Sequence, residues 1–528
     1  MSDLLAGLGI LAAAAGAAGA ILLPAGRLRS AAMLLALVLF PILILGDQWH
    51  SHQIADLRHS TGRLLALGAL AIAASAALAY LFRRWPILLP LAIVAALPFR
   101  IPLHAGGDTA NLLVPLYLVI AGGVLALTVR DWGVRPAGPV ASAWLPRVLA
   151  AVVALYALQV LYSEDFSKGL QNVCFFFVPF SLVYGLLREV SWDRKLLTAV
   201  AWVIGISAVC FVAVGTIEWV TRSLFWNSQV IRSNEFHTYF RVNSVFWDPN
   251  IYGRYLALVA VVAMSALLWA REKRTLALLT ALVAILWFGL VPTYSQSSYA
   301  ALLAGLVVLA ALRWSLKWTV IAAVAGVVIT MLIVTIAGSF SFDRINIDTS
   351  GRANLVSGGV HLFSQRPVYG YGSGSFPKAY RQHVKSHKAP VSVSHTEPIT
   401  IAAEQGLLGL SLYAALVLTA LWTMASGLRP SLLRLSASRA GGAVGGPTPE
   451  DALATAGGGG SPAVTGPARL VSIARAAVLA TFVALLVHTM AYAGFYEDPI
   501  TWVLLAAAVS LAAADKRSLA ACRDTSAA

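Results

Sequence analysis

Thr198-Ala-Val-Ala-Trp-Val-Ile-Gly-Ile-Ser-Ala-Val-Cys-Phe-Val-Ala-Val-Gly-Thr-Ile-Glu-Trp-Val220 carries one charge, Glu218, in an otherwise apolar run. At about 1.5 Å of rise per residue, such a run crosses the roughly 30 Å hydrocarbon core of a bilayer as a helix. Runs of similar character fall near 4–24, 30–46, 62–82, 111–128, 143–162, 170–187, 251–270, 275–292, 297–312, 318–337, 398–425, 470–490 and 499–515. A shorter run, 86–99, ends in Pro98-Phe-Arg-Ile-Pro102 and reads as a short tilted span or a re-entrant segment. The expected fold is all-α: a polytopic integral membrane protein of about 14–15 transmembrane helices.

Composition agrees. The chain is 59% hydrophobic and 12% charged, against about 25% charged residues in a soluble domain. Met1 to Asp3 lacks the basic start of a cleavable signal peptide, and the first apolar run is long enough to span. Cys174, Cys210 and Cys522 lie far apart, so neither a disulfide framework nor a metal knuckle is expected. The net charge of +15 points to nucleic acid only if it is not topological, because cytoplasmic loops of membrane proteins collect Lys and Arg.

The distribution decides. With the C-terminus cytoplasmic, the inside loops hold pairs such as Arg27 and Arg29, Arg83 and Arg84, Arg194 and Lys195, and Lys516 and Arg517. Outside loops are nearly bare of positive charge except 221–254 and 338–395. Those two basic loops need a reason other than topology, and no nucleic-acid partner is expected. Fifteen spans put the N-terminus outside and fourteen put it inside.

The chain divides accordingly. Residues 1–337 form the N-terminal transmembrane part, 338–397 a large outer catalytic loop, and 398–426 a transmembrane helix. Residues 427–468 are a cytoplasmic linker rich in Gly, Pro and Ser, which cannot bury a core. Residues 469–515 hold the last spans, and 516–528 are a cytoplasmic tail.

The large loop carries Ser350-Gly-Arg352, Gly370-Tyr-Gly-Ser-Gly-Ser-Phe376, His395-Thr-Glu-Pro398 and then Glu404-Gln-Gly-Leu-Leu-Gly409. Its glycines, arginines and histidines suit a phosphate-bearing substrate. Arg352 begins an expected amphipathic helix with Val356, Val360, Leu362 and Phe363 as its apolar side. A cation there opposes the helix dipole and calls for an anionic partner or ligand. The glycine cluster reads as a plain turn or as a place where backbone closely approaches a ligand. His383 and His387 have i, i+4 spacing, but no carboxylate accompanies them in the zinc-protease pattern, and no metal is expected. His395, between a basic loop and a span, reads as a general base or as an inert surface histidine.

The other basic loop ends in Arg241 and Val245-Phe-Trp-Asp-Pro-Asn250, with Arg254 one turn into the next helix. Asp248-Pro249 is a helix-start signal. A helix N-terminus flanked by arginines is also an anion site. Thr293-Tyr-Ser-Gln-Ser-Ser-Tyr299 caps a helix or supplies a row of hydroxyls. His488 to Asp498 adds a histidine, tyrosines and two acids at another outer turn.

Taken in order, these segments resemble the O-antigen ligase and polymerase superfamily. The matching pieces are Pro98–Pro102 with Asn111–Tyr117, Arg241 through Asn250, Thr293–Gln296, Ser350–Arg352, Gly370–Phe376, His395 through Gly409, and the late His488 to Asp498 segment. The resemblance implies a metal-independent glycosyltransferase of the GT-C type in the bacterial cytoplasmic membrane, with its active site facing outside. It implies a donor glycan on undecaprenyl pyrophosphate and a glycan, lipid or polymer acceptor, and no cofactor. Arg241 and Arg352 match the donor-binding arginines, and His395 matches the loop histidine that acts on the acceptor. Arg254, Asn250, Gln296 and Ser297 are expected to line the substrate site. Gly372, Gly374, Tyr380, His488 and Glu497 complete that expectation. Many members carry Arg where this chain has Gln296, so either a neighbour such as Arg254 supplies the charge or the donor is gripped differently. Ligase and polymerase are not separable from sequence. A flippase would show matching charges on both faces and broken helices near the midplane.

Overall fold

The computed structural model describes residues 3–49, 60–99, 101–105, 108–132, 144–225, 227–236, 239–314, 352–384, 394–428 and 466–527, with Lys317, Thr319, Ile321 and Leu432. With no water in the bilayer core, each apolar run must satisfy its own backbone, and helices do so. Among the described residues, eleven helices are long and apolar enough to cross a membrane. Two shorter apolar helices, Trp144–Val160 and Pro499–Asp515, fall on expected spans. The run 318–337 lies almost wholly outside the described residues, as do Gly351, His387 and most of the linker. The 86–99 run forms only the short helix Leu88–Ala96. It is followed by the one departure from an all-α fold among the described residues, an antiparallel hairpin of Ile101–Ala105 and Asp108–Leu112.

Among the described spans Phe166–Leu187 is the most enclosed, whereas Gly62–Arg84 stands on the periphery. The central span contains a wide turn at Val173–Phe177, just before Pro179. Pro179 has no N–H to give to the Phe175 carbonyl. The Tyr117 hydroxyl donates to that oxygen instead at 2.8 Å, which is how a break in the ladder survives at membrane depth.

Charged residues gather at the two ends of the bundle. At the end expected to be cytoplasmic, buried Arg29 pairs with Asp131 at 2.5 Å and with Glu189. Arg475 pairs with Asp515 and donates to the Ser426 carbonyl at 2.6 Å, joining three helices. Arg475→Met strands a buried carboxylate, and breaking one side of a buried pair costs about 3–5 kcal/mol. A lowered melting temperature of the variant in detergent checks this, and an unchanged one contradicts it.

The opposite end, here the loop end, is where the two basic loops and the His488–Asp498 turn meet. Helix Arg352–Gln365 forms as expected, but its packed side is Leu355, Gly358, Gly359 and Leu362, with Val360 exposed. The glycine pair is the reason. A Cβ on Gly358 would lie 2.2 Å from the Tyr380 ring, and one on Gly359 would lie 2.5 Å from Ile399. The helix therefore seats its glycines on its neighbours.

Candidate functional site

Helix Glu397–Ala425 is broken at Gly406, where φ is 63° and ψ is −158°. The break exposes backbone, and segment 367–376 fills it. Leu407 N–H donates to Pro367 O at 2.7 Å, and Gly372 N–H donates to Glu404 O at 2.8 Å. The Glu404 carboxylate accepts from Gly374 N–H at 2.9 Å and Phe376 N–H at 3.0 Å. The glycines approach protein backbone rather than open space. A Cβ on Gly372 would lie 2.3 Å from Ser163 Cα, and one on Gly374 would lie 2.8 Å from Gly169 N. Geometry gives Gly372 and Gly374 a packing role. The same holds for Tyr380, which is buried against Phe376 and donates to Asn354 O at 3.3 Å.

Above this docked loop lies an ionic cluster. Glu164 pairs with Arg366 at 3.2 Å and with His383 at 3.3 Å. The Arg366 guanidinium lies 4.2 Å over the Tyr371 ring. Burial raises the Tyr371 hydroxyl above its usual range against the pull of Arg366, so it stays a neutral donor to Gln365 at 2.6 Å.

His395 sits in the left-handed region at φ 64°, a conformation that histidine adopts more readily than most residues. Its flanks are tied down. Thr396 Oγ1 donates to Met490 O at 3.0 Å, and Glu397 accepts from Gly494 N–H at 2.7 Å and Phe495 N–H at 3.0 Å. Burial, reinforced by Glu397, holds the Tyr496 hydroxyl in this turn well above its ordinary pKa. The histidine therefore stands against the His488–Asp498 turn, its ring centroid 6.4 Å from Tyr492. Tyr492 in turn lies 5.8 Å from the ring of buried His488. His488 Nε2 is 3.2 Å from Ser297 Oγ.

Ser297 belongs to a buried hydroxyl row with Ser295 and Ser298, which are 2.8 Å apart at their oxygens. Ser295 makes no side-chain cap to the helix that follows. Gln296 itself is exposed. Arg241 reaches the same segment, with Nε donating to Thr293 O at 2.9 Å and Nη2 to Asn250 Oδ1 at 3.1 Å. Buried Glu218 fixes the approach by accepting from Asn243 N–H and Ser244 N–H at 3.1 Å and 2.6 Å. Asp248 caps the next helix through Asn250 N–H at 2.6 Å, with Pro249 in its first turn. Arg254 is buried and pairs with Asp498 at 2.8 Å.

The loop end thus brings Arg241, Asn250, Ser297, His488 and His395 into one chain of contacts, with the Arg254–Asp498 pair joining its helix to the same turn. Helix Arg352–Gln365 begins at Arg352 beside the docked loop. Glu497 is half-buried next to Asp498. Among the described residues, the non-glycine left-handed positions are Arg222, Asn227, Ser244, Tyr294 and His395. All of them lie at this end, and strained backbone concentrates at functional sites.

Residues 281–414 match the family model for O-antigen ligase. That stretch, about a quarter of the chain, is similar to the O-antigen ligase family. A comparison with curated proteins finds no match. The O-antigen ligase match takes in the hydroxyl row, the helix at Arg352, the docked glycine segment, His395 and the break at Gly406. It supports membership of the O-antigen ligase-like superfamily for a chain whose helices make it multi-pass. Arg241, Asn250, Arg254 and His488 lie outside the matched stretch, and Arg241 and His488 contact it at Thr293 and Ser297. The sequence reading gave no role to Glu218 or Glu404, although both had a signal, because a lone carboxylate in an apolar run must find donors.

Proposed function

We propose that this chain transfers a glycan from undecaprenyl pyrophosphate to an acceptor hydroxyl at the loop end, on the outer face of the bacterial cytoplasmic membrane. The observation that carries this reading is the link from Arg241, held beside a helix start by Asn250, through the hydroxyl row, His488 and Tyr492 to His395. One side of that link suits a diphosphate and the other suits a hydroxyl nucleophile.

The reaction breaks the bond between the sugar anomeric carbon and the diphosphate oxygen. It forms a bond from that carbon to the acceptor oxygen. His395 takes the acceptor proton, and the electron pair leaves with undecaprenyl pyrophosphate. Negative charge grows on the leaving group, and cations fixed beforehand stabilise it without reorganising. Arg241 and Arg352 are assigned that work. Asn250 holds Arg241 in place, and Ser297 and His488 line the path between the two halves. On this reading arginines are the only cations required, and EDTA leaves transfer unchanged.

Arg241→Ala and Arg352→Ala are each expected to slow transfer by about 10²–10³-fold, the scale of losing one transition-state donor. Purified, folded variants assayed with a lipid-linked oligosaccharide check this. Wild-type rates from both would overturn the assignment. The acceptor that works separates a ligase from a polymerase of the same family.

A further inference from the structure

We propose that Arg222, Arg232 and the apolar side chains beside them form a docking surface for anionic phospholipid headgroups, and that helix Ser228–Phe236 couples this surface to Arg241. The leaflet that supplies the lipid rests on the outward orientation proposed above; the existence of the surface does not. Four arginines stand in the basic stretch 221–254, and a positive loop on the outer side is not explained by topology. Arg241 and Arg254 are absorbed by the candidate site. Arg222 and Arg232 are left without a task. Both are exposed, and among the described residues neither pairs with a carboxylate.

Chain continuity sets the level of Arg222. The apolar span Arg194–Thr221 ends one residue before it, with Trp219 and Val220 exposed in the last turn. Exposed apolar residues on a span face lipid, and Trp marks the interfacial level of a bilayer. The Arg222 guanidinium lies 5.4 Å over the rings of both Trp219 and Phe240. Cation–π contact with two rings holds the group at that level. Its N–H edges stay open to a phosphate, which a guanidinium takes bidentately. Phe225, Ile231 and Tyr239 are exposed around it. Apolar side chains interleaved with arginine are the pattern of an element that lies in the headgroup layer.

Helix Ser228–Phe236 has two sides. Val230, Ser233 and Asn234 are half-buried, whereas Ile231, Arg232 and Glu235 are exposed, as spacings of three and four residues require. Glu235 lowers the net charge of the exposed side, so holding an anion takes Arg222 as well as Arg232. The inner side reaches the candidate site. Asn234 clamps the Arg241 backbone from both directions: its Oδ1 accepts from Arg241 N–H at 3.0 Å, and its Nδ2 donates to Arg241 O at 2.9 Å. Just before the helix, Asn227 Nδ2 donates to Trp247 O at 2.6 Å, next to the Asp248 cap. The helix is therefore tied to both ends of the segment that carries Arg241. Seating its outer side on headgroups steadies that segment, and Asn234 is the positioning residue that transmits the effect.

The test places the full chain, without donor, in nanodiscs of phosphatidylcholine with rising fractions of phosphatidylglycerol. Hydrogen exchange of the 228–236 amides is the readout. Protection is expected to rise with phosphatidylglycerol and to fall again with salt. One basic side chain at an anionic membrane surface is worth about fivefold in affinity. Arg222→Gln/Arg232→Gln is therefore expected to weaken the response about tenfold or more while melting like wild type. In the transfer assay the wild-type rate is expected to rise with phosphatidylglycerol. The double variant is expected to stay at the wild-type phosphatidylcholine rate. Asn234→Ala is expected to keep the response of the helix and lose that of the rate, a split that a merely structural residue does not produce. Equal protection in the two lipids, or a full response in the double variant, overturns the proposal. So does equal protection by inorganic phosphate in phospholipid-free detergent, which would make this a site for free anions. A phosphatidylglycerol-sensitive helix in a protein that releases no undecaprenyl pyrophosphate for any acceptor supports the docking surface and removes the transfer reading.

Discussion

Replacing His395 is expected to lower glycan transfer by about 10²–10⁴-fold, the range carried by a positioned general base, in a protein that still folds. The backbone around it is held by other groups: Thr396 on Met490, Glu397 on the 494–495 amides, and Ser394 Oγ on Thr396 O at 2.8 Å. The imidazole itself stands half-buried beside Tyr492. Alanine is an imperfect test because φ is 64°, a conformation that asparagine tolerates better. His395→Asn preserves the backbone and removes the base. Both variants should melt near the wild-type temperature and both should lose transfer. A His395→Asn enzyme working at the wild-type rate would remove the histidine from the chemistry.

The largest structural effect is expected at Gly406. Its φ of 63° and ψ of −158° belong to a region essentially confined to glycine. A Cβ there would lie 2.4 Å from the Val368 backbone. Gly406→Ala therefore carries about 1–3 kcal/mol of backbone strain and about 1–3 kcal/mol of overpacking. It also loosens the amides that Pro367 and Val368 hold at Leu407 and Leu408. Against a total stability of about 5–15 kcal/mol, that is a large fraction. The variant should melt well below wild type, and protease should cut the 367–376 segment first. A variant as stable and protease-resistant as wild type would mean that the helix break is not what seats this loop.

The helical bundle was legible because hydrophobic length is a strong signal: thirteen of the expected spans stand at their places among the described residues. The Leu88–Ala96 segment was ambiguous for the same reason, being too short to decide. Arg241, Asn250 and the Asp248 cap were readable from local chemistry, since capping acts within a few residues. The glycine segment was legible as a turn or a close backbone approach. Its close approach was foreseen, but the partner is a helix break some thirty residues on, and no local pattern encodes that. The Arg254–Asp498 pair and the His395–Tyr492–His488 line join residues far apart in the chain. Only the packed bundle brings them together.

The decisive assay follows undecaprenyl pyrophosphate released by the purified wild-type protein, given an undecaprenyl-pyrophosphate oligosaccharide and EDTA, with and without acceptor. Release is expected to require the acceptor, to be matched by glycosylated product and to be indifferent to EDTA. Intact donor moving across a vesicle membrane, with no release for any acceptor, would contradict it and make the protein a transporter.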